Sequence, residues 1–247
     1  MLGRILMNII DKIDRQKILL AGLLVAIGVL GRIILHDFFN GIANPWDQPS
    51  ELGLGLDVFF VIAAVSIFSG VLLGKYYALI VPISVIIISD MFYAFVDPVN
   101  ALIYTTYLFL FTITGYVFIA LIGLYTKKKS KLNITFIPKI LGAGITGIII
   151  YDLWTNLGFW ISFSRAFPDY LPPTLGGLFT AYAGGIPMMI WHTLSGGIAI
   201  AIVATPLVYL KEHKILKTEF VLKPIEKYSI AGATAVLMTL SIISALI

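Results

Sequence analysis

The sequence predicts an all-α polytopic membrane protein, and three observations carry that prediction. Of its 247 residues 59% are hydrophobic and only 12% charged, about half the charged share of a soluble domain. Mean hydropathy is +0.98. Long uncharged runs recur from residue 18 to the C-terminus, so too little polar surface remains to coat a water-facing globule.

Ahead of the first run, Leu2, Ile5, Leu6, Ile9, Ile10 and Ile13 recur at helical spacing between Arg4, Asn8, Asp11, Lys12 and Arg15. This pattern predicts an interfacial amphipathic helix over residues 1–17. Its acidic residues and the lack of a small-residue cleavage site argue against a signal peptide.

Crossing about 30 Å of hydrocarbon takes roughly 17 to 25 helical residues, and seven segments qualify. They run over residues 18–35, 58–73, 76–95, 101–125, 140–163, 186–210 and 229–247. The first six make a membrane core over residues 18–210. A cytoplasmic linker over 211–228 and a C-terminal transmembrane helix over 229–247 complete the chain. Gly70, Gly74 and Pro82 predict a tight, irregular hairpin between the second and third spans. The Pro- and Gly-rich stretch 165–185 is too apolar for a free loop and is expected to be partly re-entrant.

Orientation follows from the basic residues, which accumulate in cytoplasmic loops. Four precede the first span, one is Lys75, five lie between Lys127 and Lys139, and five between Lys211 and Lys227. These fall at alternate ends of the spans, which predicts a cytoplasmic N-terminus and an external C-terminus. The opposite loops carry Asp37, Asp47, Glu51, Asp97 and Asp169 with one basic residue, Arg165.

Chemistry-bearing signatures are sparse, and no enzyme activity or cofactor is expected. Without cysteine, thiolate metal sites and cysteine nucleophiles are excluded. There is no HExxH and no Gly-x-Ser-x-Gly elbow. Gly142-Ala-Gly144-Ile-Thr-Gly147 has dinucleotide-loop spacing but lies inside an apolar span with no strand before it, so helix packing explains it better. Gly70-Val-Leu-Leu-Gly74-Lys75 is one spacer short of a phosphate loop and no Ser or Thr follows its lysine. Any ATP-driven transport would therefore need a separate ATPase subunit. Nothing points to nucleic acid.

Ionisable groups inside spans are the informative ones, since each is costly at the bilayer centre and faces protein or water. Arg32 lies fifteen residues beyond Lys17 and Asp90 fifteen beyond Lys75, about 22 Å at 1.5 Å per residue. Asp152 and His192 come out about 20 and 28 Å from Lys139 and Lys211. With Asp57, eighteen residues before Lys75 and so about 27 Å away, five spans thus place a polar or charged group in the outer half, which suits either an outward pocket or a polar plug. Arg32 and Asp90 can form a structural ion pair or contact a substrate, and His192 can be a satisfied interfacial residue or a ligand. Asp57 opens its span and reads as an N-cap. Asp152, Asn156 and Trp160 share one helical face at i, i+4 and i+8. They could hold a small polar molecule, although Trp160 and Trp154 also suit an aromatic belt. Arg32, Asp90, Asp152, Asn156, Trp160 and His192 are accordingly the candidate substrate-binding residues, bordering one outward-opening pocket. Gly22 and Ala26, four residues apart on the first span, are the candidate docking face for a partner helix.

The chain also resembles a known group. Arg32-Ile-Ile-Leu-His36, Phe60 to Gly70, Ile88-Ser89-Asp90, Thr155-Asn-Leu-Gly-Phe-Trp160 and Gly177-Leu-Phe-Thr-Ala-Tyr182 with Ile186-Pro187 resemble a family of transport proteins similar to the substrate-binding (S) components of energy-coupling factor (ECF) transporters. The likeness covers about residues 20 to 210. Where such relatives carry Arg-Asn-Thr-Leu-x-Gly-Asp, this chain has Trp191-His192-Thr193-Leu194-Ser195-Gly196-Gly197. The resemblance implies a six-helix S-component-like binding subunit. It would capture a vitamin-like small molecule from outside, then dock on a transmembrane coupling subunit with ATPases. The competing reading is a non-transporting structural or accessory subunit of a membrane complex.

Overall fold

A computed structural model describes residues 15–42, 58–96, 98–128, 133–213 and 224–246. All regular structure among these residues is helical, in seven apolar helices, and the protein is a multi-pass membrane protein. In chain order they are α1 (Arg15–Ile42), α2 (Phe59–Phe68, prolonged by a π-helical turn at Ser69–Leu73), α3 (Tyr77–Val96), α4 (Pro98–Lys128), α5 (Phe136–Ala166), α6 (Leu175–Glu212) and α7 (Pro224–Leu246). Six are long enough to cross a bilayer, and α2 with its π turn is shorter. A helix stands at each of the seven expected spans, although by length only six of them qualify to cross. The amphipathic segment ahead of Arg15, Asp57 and most of the linker, residues 214–223, lie outside the described residues.

α2 is short because it is central. Every residue from Ile62 to Gly74 is buried, and a helix apolar all round is one that other helices surround. α1, α3, α4 and α6 pack on it. Phe59, Ile67 and Phe68 meet Val85 and Ile86 of α3, Ile119 of α4, Ile148 of α5 and Ile200 of α6 in one core cluster. Crossing with α4 is close because both helices lack side chains there. A Cβ on Gly70 would fall on the Ala120 carbonyl oxygen, and one on Gly123 would fall on the Ile67 carbonyl oxygen. The π turn then runs into a left-handed reversal at Gly74 (φ 63°) and Lys75 (φ 51°). This is the irregular hairpin that the glycines predict, one of its two positions being natural for glycine.

One expectation is corrected. No re-entrant segment exists over 165–185: the chain makes a short connection from Phe167 to Thr174, exposed except at Leu171, and then enters α6, whose first turns are residues 175–185. Gly177 permits this, since a Cβ there would strike the Pro172 carbonyl. The C-terminal helix α7 packs into the bundle. Ile230 packs among Ala78, Leu79, Val117, Ala120 and Leu124. Ser241 Oγ and Thr114 Oγ1 lie 2.9 Å apart in the α4–α7 interface, and Lys75 Nζ pairs with Glu226 at 3.1 Å beside the α2–α3 reversal.

These close approaches predict an asymmetric response to one substitution type. Gly123→Val should destabilise the bundle by about 1–3 kcal/mol through overpacking. Gly22→Val, at a position with nothing within 4 Å, should stay within about 0.5 kcal/mol. Unfolding in mixed micelles would measure both.

Candidate functional site

Five of the six candidate residues fall into two groups rather than around one pocket, and Trp160 stands apart. The first joins α1 to α3. Arg32 Nη1 pairs with Asp90 Oδ1 and donates to Ser89 Oγ at 2.6 Å, while the Ser89 hydroxyl donates to the Val85 carbonyl at 2.7 Å. Tyr93 covers the assembly, with its ring 5.5 Å from the guanidinium carbon and its hydroxyl donating to the Arg32 carbonyl at 3.3 Å. Asp90 also borders a small recess of about 230 Å³ with Ile87, Met91, Ala94 and Phe109. The Ser89-Asp90 dipeptide thus anchors one arginine, and the two charged residues form an ion pair.

The second group joins α5 to α6 and lies deeper. Asp152 sits near the middle of a 31-residue helix and His192 near the middle of a 38-residue helix. At 1.5 Å per residue α5 is about 46 Å long, so Asp152 stands many residues from either end of its span. His192 Nδ1 and Asp152 Oδ1 are 2.6 Å apart, with side chains only 6% and 4% exposed. With Asp152 ionised, Nδ1 carries the proton. The imidazole stacks on Phe59 of α2, centroids 4.0 Å apart and planes at 22°, and meets the Tyr151 ring edge-on at 6.1 Å. Phe59, Tyr116 and Tyr151 form an aromatic wall with centroids 4.7 to 5.4 Å apart. A carboxylate in hydrocarbon is sustained by such a hydrogen-bonded partner and rigid surroundings.

Beside this pair opens a recess of about 290 Å³ lined by Asp152, Leu153, Asn156, Phe179, Tyr182, Ala183, Gly185, Ile186 and Met189. Neither recess is lined by residues of both groups. Asn156 Nδ2 donates to the Asp152 carbonyl at 2.8 Å, which fixes the amide orientation, since a carbonyl can only accept. Gly185 makes room for it: a Cβ there would lie 2.5 Å from Asn156 Oδ1. Tyr182 Oη donates to the Leu153 carbonyl at 3.2 Å.

Trp160 does not line the recess. Its Nε1 donates to the Pro172 carbonyl at 3.2 Å, so it ties down the α5–α6 connection. Trp154 packs on Phe111 and Phe118 of α4 at 4.8 and 5.6 Å. Gly22 and Ala26 are both exposed on the outer face of α1. Sequence reasoning missed Tyr182, Phe59 and Gly185 as parts of the site. Tyr182 stands within a stretch that carries the family resemblance, whereas nothing in the apolar runs separates Phe59 or Gly185 from ordinary packing residues.

Residues 12–218 match the profile of a family of unknown function, DUF6580, and the chain belongs to it. The match holds α1 to α6, both polar groups and the recess, and stops before α7. No curated protein and no solved structure matches the chain.

Burial separates the two ion pairs energetically. Asp152→Ala should destabilise the bundle by about 3–5 kcal/mol, the cost of stranding half of a buried pair. Asp90→Ala should cost less, since the side chains of its pair are 24% and 18% exposed and therefore less tightly enclosed. Unfolding free energies with the matching His192→Ala and Arg32→Ala cycles would measure the two couplings.

Proposed function

We propose that the protein is the membrane-embedded substrate-binding subunit of a small-molecule uptake system, capturing a vitamin-like nutrient from the outer side. The observation that carries this reading is the recess between α5 and α6, flanked by the buried Asp152–His192 pair and by Asn156. Mostly apolar walls with a few fixed polar groups are what small-molecule sites present. The resemblance to ECF S components supports the same reading. So does the lack of any phosphate loop, which leaves energy to separate ATPases acting through a coupling subunit. In this reading the N-terminus is cytoplasmic, the C-terminus external, and α1 meets the coupling subunit through Gly22 and Ala26. The exposure of both residues and the open space around Gly22 support that contact.

One observation favours the second reading, a structural or accessory subunit. Arg32 and Asp90 close upon each other and upon Ser89, which is enough to explain them as helix glue. Native mass spectrometry of the purified protein separates the two readings. A retained small molecule supports binding, and Asn156→Ala should then weaken its retention by about 1–3 kcal/mol. A protein that stays empty in every growth medium and copurifies stoichiometrically with a larger complex would favour the structural role.

Orientation and docking are checked in cells. Because the chain lacks cysteine, a single cysteine at position 48 should react with an impermeant reagent from outside and one at 130 only from inside. Ala26→Trp should abolish uptake while the isolated protein keeps its ligand. Uptake that survives this change, or that proceeds in a host without coupling ATPases, would contradict the proposed partner.

A further inference from the structure

Lateral exposure and hydrogen-bond accounting around the α5–α6 recess identify the class of ligand. The recess opens sideways: Leu153, Phe179 and Ile186 line it while being 45%, 70% and 47% exposed. These residues stand on two membrane-crossing helices, so the surroundings they meet include hydrocarbon. At the other end, Trp160 holds the 167–174 connection by the Pro172 carbonyl. A molecule dissolved in the bilayer therefore reaches the recess between the helices without passing through water.

Its polar lining is rich in acceptors. The phenol proton of Tyr182 is committed to the Leu153 carbonyl, leaving oxygen lone pairs. One N–H of Asn156 is committed to the Asp152 carbonyl, leaving Oδ1 and a single N–H. Pro187, inside α6, has no N–H to give the Ala183 carbonyl one turn earlier, so that acceptor loses its helical donor. Asp152, itself held by His192, brings a further carboxyl group to the recess wall. An anionic head would be repelled, and a cationic one would have to be desolvated in hydrocarbon. What matches is a neutral donor on an apolar body.

We infer that the α5–α6 recess binds a lipid-phase alcohol, its hydroxyl donating to the acceptors around Asn156 and Tyr182 and its chain leaving between Leu153, Phe179 and Ile186 into the bilayer. This deepens the proposed binding function and rests on it. It replaces a water-soluble nutrient with a membrane-soluble one.

The experiment uses the full chain in phosphatidylcholine nanodiscs with a long-chain primary alcohol that carries a diazirine, and the carboxylic acid of the same chain as the comparison probe. After irradiation, peptide mapping should place the alcohol on residues 153–156 and 179–189, with competition by unlabelled alcohol. Ala183→Phe fills the recess and should remove this labelling. Asn156→Leu keeps the volume and should reduce it by about tenfold, the order expected for one buried hydrogen bond, and it serves where the first variant fails to accumulate. Acid labelling equal to that of the alcohol overturns the inference, as does alcohol labelling indifferent to both variants. If instead a water-soluble molecule copurifies and Ala183→Phe expels it, the recess is a binding site and only the ligand class is wrong. If no probe and no copurified molecule responds to either variant, the inference and the binding function fall together.

Discussion

Hydrocarbon offers no hydrogen bonds, so every polar group carried into the bundle must find its partner within the protein. That constraint organises the structure. Asp152 is held by His192, Arg32 by Asp90 and Ser89, and Thr114 by Ser241. Each pairing joins two different helices, so satisfying the polar atom also sets which helices are neighbours. Apolar side chains cannot do this in a membrane, since a leucine gains little by leaving lipid for protein. The polar pairs select the arrangement, and close packing at Gly70, Gly123 and Gly185 supplies the contact area.

The helices were legible because a span is written in length and hydropathy, both local properties. All seven were expected, and their observed bounds differ mostly by extension into polar flanks. The re-entrant expectation for 165–185 failed because Pro and Gly signal local breaks without saying where the break ends. Pro172 and Pro173 end the connection, but Pro187 is absorbed inside α6.

Site legibility was also partial. Charged residues in apolar runs stand out, so Arg32, Asp90, Asp152 and His192 could be named, yet depth alone could not say which pairs with which. Partners 40 and 58 positions apart are joined by helix packing that no spacing rule encodes. The α5 stripe shows the limit most plainly. Asp152 and Asn156 share the recess as their i, i+4 spacing suggests, but Trp160, one turn further, is recruited by the Pro172 carbonyl. Tyr182 and Gly185 were hidden because an aromatic and a glycine in a span have many ordinary uses.

The recess owes its existence to the way α5 and α6 are fastened. At its deep end the His192–Asp152 contact draws the helices together, with His192 backed by the Phe59 ring. At its other end the Trp160–Pro172 bond restrains the connection. Between these two fasteners the Asn156 amide lies against Gly185, so the helices touch on one flank only. On the other flank the side chains of Leu153, Phe179 and Ile186 diverge. A gap bounded by two fixed points cannot close by sliding without breaking one of them, and breaking the deeper one would strand a charge in hydrocarbon. The buried pair therefore does more than stabilise the bundle: it keeps a cavity open in a place where lipid pressure and packing would otherwise fill it.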